Sequence, residues 1–245
     1  MPQPTTRSAW LAARKTLLKK EKELTHLREQ IADERRNLPM VKIDEDYTFD
    51  GPTSPVKLSE LFDGCSQLIV YHFMFAPEWS QGCKSCSAIA DHYDDTIIHL
   101  RHRDTNLVTV SRAPIEKLLA FRDRMGWTFP WVSSANNSFN SDHGVYFTEE
   151  ELKNPLTIYN YVSPPYPIAD LPGLSVFFRD ESGDIYHTYS TYARGLDPLL
   201  NFYNYLDLTP KGRDEAPDEP PMNWLRHHDR YEAANFVDPW AEQHA

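Results

Sequence analysis

The chain has 245 residues, of which 40% are hydrophobic, and its formal net charge is −11 at pH 7. This length and apolar content can supply a core, so a fully disordered chain is excluded. Nucleic acids and anionic membranes both bind basic surfaces, and for an acidic chain we expect neither as a partner. Since no apolar run approaches about 20 residues and the N-terminus lacks the core of a signal peptide, we expect a cytoplasmic protein.

The first element along the chain is a long helix over residues 6–36, which are rich in Lys, Glu, Arg and Leu. Apolar residues recur in it at every seventh position, at Trp10, Leu17, Leu24, Ile31 and Leu38. Such a row is typical of a helix that forms a homodimer or docks on a partner. A thin second row, represented by Leu27, fits equally well an arm packed on its own domain. We assign residues 1–38 to an N-terminal helical extension.

Residues 39–210 carry the pattern of one α/β domain. Continuous apolar runs predict buried strands near 68–75 and 106–111, each followed by a helix. Two later runs, near 174–179 and 184–190, are joined by a short turn and predict an antiparallel pair. Strand, helix, strand, helix implies parallel pairing through crossovers, so the expected fold has a mixed central sheet.

The remaining segments are predicted from their periodicity and composition. The stretch after Lys42 alternates polar and apolar residues as an edge strand or hairpin does. One helix is expected from Cys86 to Leu100, a second after Pro114, and a third over 196–208. Residues of about 135–170 form a long insertion, and loops of that length are usually lids or poorly ordered. Residues 211–245 read as a linker that ends in a short helix.

Two cysteines, Cys83 and Cys86, lie where the first buried strand turns into a helix. A close cysteine pair in a cytosolic chain is more often catalytic or metal-binding than structural. At a helix start, free amides favour the thiolate, so Cys83 is predicted to be an exposed nucleophile. Cys86, one turn further in, would be the less exposed resolving thiol. The third cysteine, Cys65, sits at a turn and is expected to be a bystander.

Pro172 precedes the strand that ends the parallel part of the expected sheet. Thioredoxin folds place a cis-proline at this point, although few X-Pro bonds in proteins are cis. A cis bond would point the backbone of Leu171 at Cys83, ready to hydrogen-bond an extended substrate. Trp79, Trp127 and Tyr192 are the aromatic residues expected to line a substrate groove above the thiols, whereas most other aromatics are expected to be packing residues.

Four segments carry a family resemblance: YHFMFAPEWSQGCKSCS, VSRAPIEKLLAFRDRMGWTFPWVSS, FFRDESGDIYHTYSTYARGLD and LDLTPKGRDE. With them the chain resembles a thioredoxin-like family of largely uncharacterised bacterial proteins, described as predicted dithiol-disulfide oxidoreductases. The resemblance covers nearly the whole chain. It implies a thioredoxin-like fold and a reactive pair at Cys83 and Cys86, with a protein or small-molecule thiol or disulfide as substrate. It names no particular substrate.

Three other functions remain open from the residues. Pro77 and Ser80 stand before Cys83 much as in a peroxiredoxin, where Arg112 or Arg194 would stabilise the thiolate. A zinc or copper site would need further ligands, for which five histidines are candidates. These are His72, His92, His99, His143 and His187. The third alternative is a binding module whose cysteines are spectators. We expect no cofactor, because the sequence shows neither a phosphate-binding glycine loop nor a nicotinamide fingerprint.

Overall fold

The computed structural model describes residues 3–162 and 167–232. Its first element is helix α1 (Arg7–Arg36), which Thr6 caps by accepting a hydrogen bond from the amide of Ala9 at 3.2 Å. The predicted bounds are therefore confirmed. No residue of α1 is buried. The prediction that α1 is an arm packed on its own domain is therefore wrong. None of the described helices is long and apolar enough to cross a membrane.

The described residues form an eight-stranded mixed sheet. Its strands are β1 (Val41–Lys42), β2 (Thr48–Asp50), β3 (Pro55–Lys57), β4 (Gln67–His72), β5 (Thr105–Ser111), β6 (Trp131–Ser133), β7 (Gly173–Arg179) and β8 (Ile185–Tyr192). Their order across the sheet is β1-β8-β7-β4-β5-β6-β2-β3. The four strands predicted from apolar runs are confirmed as β4, β5, β7 and β8. Strand β6 has three residues and is too short to leave a period in the sequence.

The central strands give the fold its class. Strands β4, β5 and β6 run parallel, whereas β7 pairs antiparallel with both β4 and β8. Each parallel step is made through a helical crossover, and the β7–β8 hairpin completes the sheet beside β4. This is the arrangement of the thioredoxin fold, with α1 and the β1–β3 edge segments as extensions and an insertion between β6 and β7. The expected fold class is confirmed.

The helices differ from expectation in two places. They are α2 (Lys84–Ala90), α3 (Tyr93–Arg101), α4 (Ile115–Arg124), α5 (Phe139–Asp142), α6 (Glu149–Lys153) and α7 (Asn201–Leu206), with a 3₁₀ helix over Ala193–Leu199. The single helix expected after Cys86 breaks at Asp91, whose carboxylate accepts hydrogen bonds from Trp127 and His228. The helix expected over 196–208 begins as a 3₁₀ helix, because Pro198 has no amide proton to donate.

Two apolar clusters cover the two faces of the sheet. One contains Tyr71 and Phe73 of β4 together with Cys83 and Cys86. The other contains Leu68 and Val70 of the same strand. Successive residues of a strand point to opposite faces, so β4 contributes to both clusters. The cysteine pair therefore belongs to one face only.

The insertion and the C-terminal segment both pack on the domain. Insertion residues Val145, Phe147 and Tyr159 are buried in the cluster that holds the cysteines. Residues 163–166 lie outside the described part. Of the short helix expected over 223–236, the described residues 223–232 form turns and no helix, and the rest lies outside the described residues. The domain boundaries at residues 38 and 210 remain predictions.

Candidate thiol site

Cys83 is the N-cap residue of α2, at the end of the loop that leaves β4. Its amide donates to the carbonyl of Met74 at 3.1 Å, and its own carbonyl accepts from both the amide and the hydroxyl of Ser87 at 2.9 Å. Gly82 allows this approach, since a Cβ there would lie 2.7 Å from a ring carbon of Phe73. These contacts fix the first cysteine at a helix start, as its position in the sequence predicts.

Both thiols of the pair are buried and unbridged, with 1% exposure at Cys83 and 2% at Cys86. The expectation of an exposed Cys83 is therefore wrong. Cys86 lies one helical turn on, and its thiol interacts with that of Cys83. Burial raises the pKa of Cys86 well above its usual value, and the neighbouring Cys83 raises it further. The Cys86 thiol is thus neutral at physiological pH.

Two buried tyrosines, Tyr71 and Tyr93, lie near Cys86. The rings of Tyr71 and Tyr93 meet edge to face at 5.6 Å, and burial followed by the proximity of Cys86 raises both pKa values well above the usual one. The Tyr71 hydroxyl lies beside the Cys86 thiol without good hydrogen-bond geometry. Neither hydroxyl has a hydrogen-bond partner among the described residues. An unpaired buried hydroxyl is costly, so this pair requires an explanation.

Sequence reasoning misses this tyrosine pair, although a signal exists. Tyr93 follows Cys86 by seven residues, which would be two turns of the single helix predicted there. Tyr71 shares a strand face with Phe73. Tyrosine is so common in apolar cores that neither position attracts attention alone. Only the packing of α3 against β4 brings the two rings together near one sulfur.

Residues 220–231 form a segment, here called the C-terminal strap, that covers the cysteine loop. His227 is fully buried, and its Nε2–H donates to the carbonyl of Gly82 at 2.9 Å while its Nδ1 accepts from Arg124 at 2.9 Å. The buried ammonium of Lys84 donates to the carbonyl of Asn223 at 3.1 Å. The two residues flanking Cys83 are thus bound by the strap, which explains why the first thiol is not exposed.

The neutral state of His227 follows from its partners. A carbonyl at Nε2 and a guanidinium at Nδ1 require one proton on the ring, at Nε2. Burial and the charge of Arg124 lower the pKa of His227 to about 4.

Between the strap, α7 and the end of α2 lies a cavity of about 410 Å³. Its walls include Ala88, Asp91, Phe202, Trp224 and Tyr231.

Pro172 comes directly before Gly173, which pairs with His72 at the end of β4. This places Pro172 beside the start of the cysteine loop, and the cis state of its peptide bond remains a prediction. The backbone groups expected to bind a substrate are occupied by the insertion. The Leu171 amide donates to the carbonyl of Val145 at 2.9 Å, and the Pro172 carbonyl accepts from the Tyr159 hydroxyl at 2.7 Å.

The three aromatic residues expected in a substrate groove are all buried. Trp127 donates from Nε1 to Asp91 at 2.9 Å, and the Tyr192 hydroxyl donates to the carbonyl of His143 at 2.9 Å. The carbonyl of Trp79 accepts from Lys117 at 2.9 Å. They pack in the same cluster as the thiols and line no open groove in this structure. Their role in substrate binding remains a prediction that requires the site to open.

The arginines named for a peroxidase site are bound elsewhere. Arg112 forms a two-pronged ion pair with buried Asp170, at 2.9 and 2.8 Å. Arg194 is exposed and pairs with Asp197 at 2.9 Å. Neither arginine therefore serves the Cys83 thiol in this structure, and the thiolate lacks the support that a peroxidase would need from them.

The histidines named for a metal site also lie apart from the cysteines. His72 belongs to the opposite face of the sheet, where its ring stacks on that of His143 at 5.8 Å and hydrogen-bonds Ser175 at 2.9 Å. His92 is the N-cap residue of α3, and His99 lies within that helix. Within residues 3–162 and 167–232, no group of three or more His, Cys, Asp or Glu residues could hold a metal ion.

The fold and the cysteine pair define a thioredoxin-like protein. A family model of bacterial proteins of unknown function (DUF899) matches residues 1–231, and the chain belongs to that family. No curated protein matches it.

Solved structures with a similar arrangement include a peroxidoxin, a peroxiredoxin and a putative thiol:disulfide interchange protein. Peroxidoxin BcpB from Mycobacterium tuberculosis is 16% identical over 67% of this chain and 94% of its own, with a TM-score of 0.43. A variant of peroxiredoxin Q from Xanthomonas campestris is 12% identical over 65% and 91%, with a TM-score of 0.44. A putative thiol:disulfide interchange protein DsbE from Chlorobium tepidum is 13% identical over 67% of this chain and 97% of its own, with a TM-score of 0.39. Likenesses at this level carry no inference about activity.

Proposed function

We propose that the protein is a thiol-disulfide oxidoreductase in which Cys83 is the nucleophile and Cys86 the resolving thiol. The observation that carries this proposal is the placement of the pair: Cys83 caps α2 at the end of a central parallel strand, and the Cys86 thiol contacts it from one turn inside. Two sulfurs this close can form a disulfide with little movement of the backbone.

The chemistry balances over two steps. The Cys83 thiolate attacks a substrate disulfide, forms a mixed disulfide and releases one substrate thiolate, which takes up a proton. The Cys86 thiolate then attacks the Cys83 sulfur, so that the Cys83–Cys86 disulfide forms and the second substrate thiol leaves. The substrate gains two electrons and the pair loses them, and a dithiol reductant restores the starting state.

The two tyrosines have a role in the second step. Burial disfavours the Cys86 thiolate, because a charge inside an apolar cluster is poorly solvated. The unpaired hydroxyl of Tyr71 is a donor already in place beside that sulfur, and the unpaired hydroxyl of Tyr93 lies near enough for Cys86 to influence its pKa. A hydrogen bond from either one stabilises the thiolate when it forms. This accounts for two buried hydroxyls that the resting structure leaves without partners.

Access to the thiols requires the strap to move. A substrate disulfide must approach the Cys83 sulfur in line, yet the carbonyl of Gly82 and the ammonium of Lys84 on either side are both bonded to strap residues. We therefore place strap opening before the first attack. The same opening uncovers Trp127, which the ring of His228 contacts at 6.4 Å, whereas Tyr192 is covered by Tyr159 of the insertion.

A non-catalytic binding module is the second candidate, because both thiols are almost fully buried. Reduction of a protein disulfide and of a small aromatic disulfide, each with a dithiol as electron source, separates the two functions. We expect turnover of at least one substrate and a two-thiol difference between oxidised and reduced protein. Thiols that stay unreactive in the folded protein would favour the binding module. Consumption of hydroperoxide without disulfide reduction would favour the peroxidase.

A further inference from the structure

Helix α1 presents an apolar row that residues 3–162 and 167–232 leave uncovered. Its members at seven-residue spacing are Trp10, Leu17, Leu24 and Ile31, and Leu38 follows two residues beyond the helix end; all five are between 36% and 51% exposed. Three further leucines of the helix are at least 40% exposed, at Leu11, Leu18 and Leu27. A row of this length exposed on one helix marks an interaction surface.

Contact between α1 and its own domain occurs near the end of the helix. The guanidinium of Arg35 lies over the ring of Tyr189 at 5.2 Å. At 1.5 Å per residue, the helical part of the row, from Trp10 to Ile31, is roughly 32 Å long. The apolar row therefore extends well away from that contact, and a partner can lie along it.

The charge of α1 is divided between its halves. Residues 7–20 hold five cations and no acid: Arg7, Arg14, Lys15, Lys19 and Lys20. Residues 21–36 hold five acids and four cations, so their net charge is −1. Two copies in parallel would place the two halves of charge +5 side by side. Two antiparallel copies place each basic half beside the half of charge −1, which removes that repulsion.

We propose that α1 is a dimerisation helix that pairs antiparallel with α1 of a second copy, in a register centred on Leu24. The row is symmetric about this position, so Leu17 of one copy lies opposite Ile31 of the other, and Trp10 lies opposite Leu38, which follows the end of the other helix. The antiparallel arrangement also places the two thioredoxin-like domains at opposite ends of the helix pair, where they do not collide. The proposal does not depend on the chemistry of the cysteine pair.

Disulfide cross-linking of the full-length chain tests both orientation and register. Two cysteines form a disulfide only when their Cα atoms lie within about 7 Å. We expect Leu24→Cys to cross-link to itself and Leu17→Cys alone not to. A mixture of Leu17→Cys and Ile31→Cys chains should give the mixed dimer. Wild-type protein, whose three native cysteines are all buried, is the control for background oxidation.

Three cross-linking results would overturn the proposal. Self-linking of Leu17→Cys would show parallel helices. Cross-linking at positions outside the Leu24-centred register would show a different pairing. The third result is a wild-type chain that stays monomeric in light scattering at all concentrations up to about 1 mM. A dimer with a weaker dissociation constant would not be a stable one, so this result would show that no second copy covers the row.

Charge reversal gives an independent test of the same arrangement. Changing Lys15, Lys19 and Lys20 to Glu turns the +5 half into one of −1, so an antiparallel dimer should weaken by about tenfold at low salt. A parallel dimer should instead strengthen, because its repulsion is removed. Mixing this variant with one in which Glu29, Asp33 and Glu34 are Lys should restore dimers as the mixed species. Sedimentation measures each dissociation constant, and unchanged helical circular dichroism shows that the chains still fold.

Discussion

The two faces of strand β4 treat their buried polar groups differently. On one face, His72 hydrogen-bonds Asn140 and Ser175, and the hydroxyl of Ser175 is joined to that of Ser190, which His187 contacts in turn. On the other face, the adjacent residue Tyr71 has an unpaired hydroxyl beside a thiol. We call these the histidine face and the thiol face.

The comparison separates a structural network from a site. Along the histidine face the hydrogen bonds form one continuous chain from His187 to Asn140, so each named group has a partner. Burial lowers the pKa of His72 to about 3 and that of His143 to about 4, which keeps both rings neutral. On the thiol face the unpaired Tyr71 hydroxyl lies beside a sulfur that becomes charged in the proposed exchange. A catalytic role is one of the explanations for an unpaired buried group of this kind.

The largest effect is expected on the thiol face itself. Cys83→Ser removes the nucleophile, so disulfide exchange should fall to the background rate while the fold is retained. Cys65→Ser is the matched control, because Cys65 is also buried but lies away from the pair. We expect this control to keep wild-type activity. Full exchange by Cys83→Ser would mean that the pair is a spectator.

A substitution on the histidine face should lower the stability of the fold and leave the exchange activity unchanged. His72→Leu leaves the side chains of Asn140 and Ser175 short of a partner, which should cost about 1–3 kcal/mol of unfolding free energy. Denaturant unfolding measures this loss. Exchange activity per folded molecule should be unchanged. A large activity loss at unchanged stability would show that the two faces are not functionally separate.

Tyr71→Phe should give the opposite result at the neighbouring position. Removing a costly unpaired hydroxyl should raise stability, whereas loss of a hydrogen bond to the Cys86 thiolate should slow resolution of the mixed disulfide about tenfold or more. Rapid-mixing kinetics separates this step from the first attack, which should keep its rate. Tyr93→Phe should behave in the same way. Equal slowing of both steps would argue for a packing effect.

The smallest effect concerns pH and the strap. Because the pKa of His227 is depressed to about 4 in the closed state, closure is favoured above the ordinary His pKa and weakens as pH falls below it. From pH 8 to pH 6 the closed state should lose about fourfold in its equilibrium with the open state. Hydrogen exchange of residues 220–231, corrected for the intrinsic rate, measures this change.

His227→Gln is the control for the pH effect. Its amide can donate to Gly82 and accept from Arg124 without titrating. The charges of Arg124, Asp229 and Arg230 surround the ring and remain in this variant. The strap of His227→Gln should therefore show no pH dependence over the same range. An equal dependence in both proteins would assign the titration to another group.

The sequence predicts those parts of the molecule that have a local period. Strands β4, β5, β7 and β8, helices α1 and α4, and Cys83 at a helix start all follow from apolar patterns or from the position of a motif. The burial of the pair does not, because it depends on contacts such as that of His227 with Gly82, which are 145 residues apart. The hydrogen bond from the Leu171 amide to the Val145 carbonyl could not be predicted for the same reason. Long-range contacts of this type produce no periodic pattern in the sequence.

The most direct test of the thiol site is the Cys86→Ser variant incubated with a disulfide substrate and analysed by mass spectrometry after acid quenching. The account predicts a stable mixed disulfide at Cys83, because the first attack proceeds and the group that releases the product is absent. The double variant Cys83→Ser, Cys86→Ser should form none. No adduct, or an adduct carried equally by Cys65, would contradict the assignment of Cys83 as nucleophile.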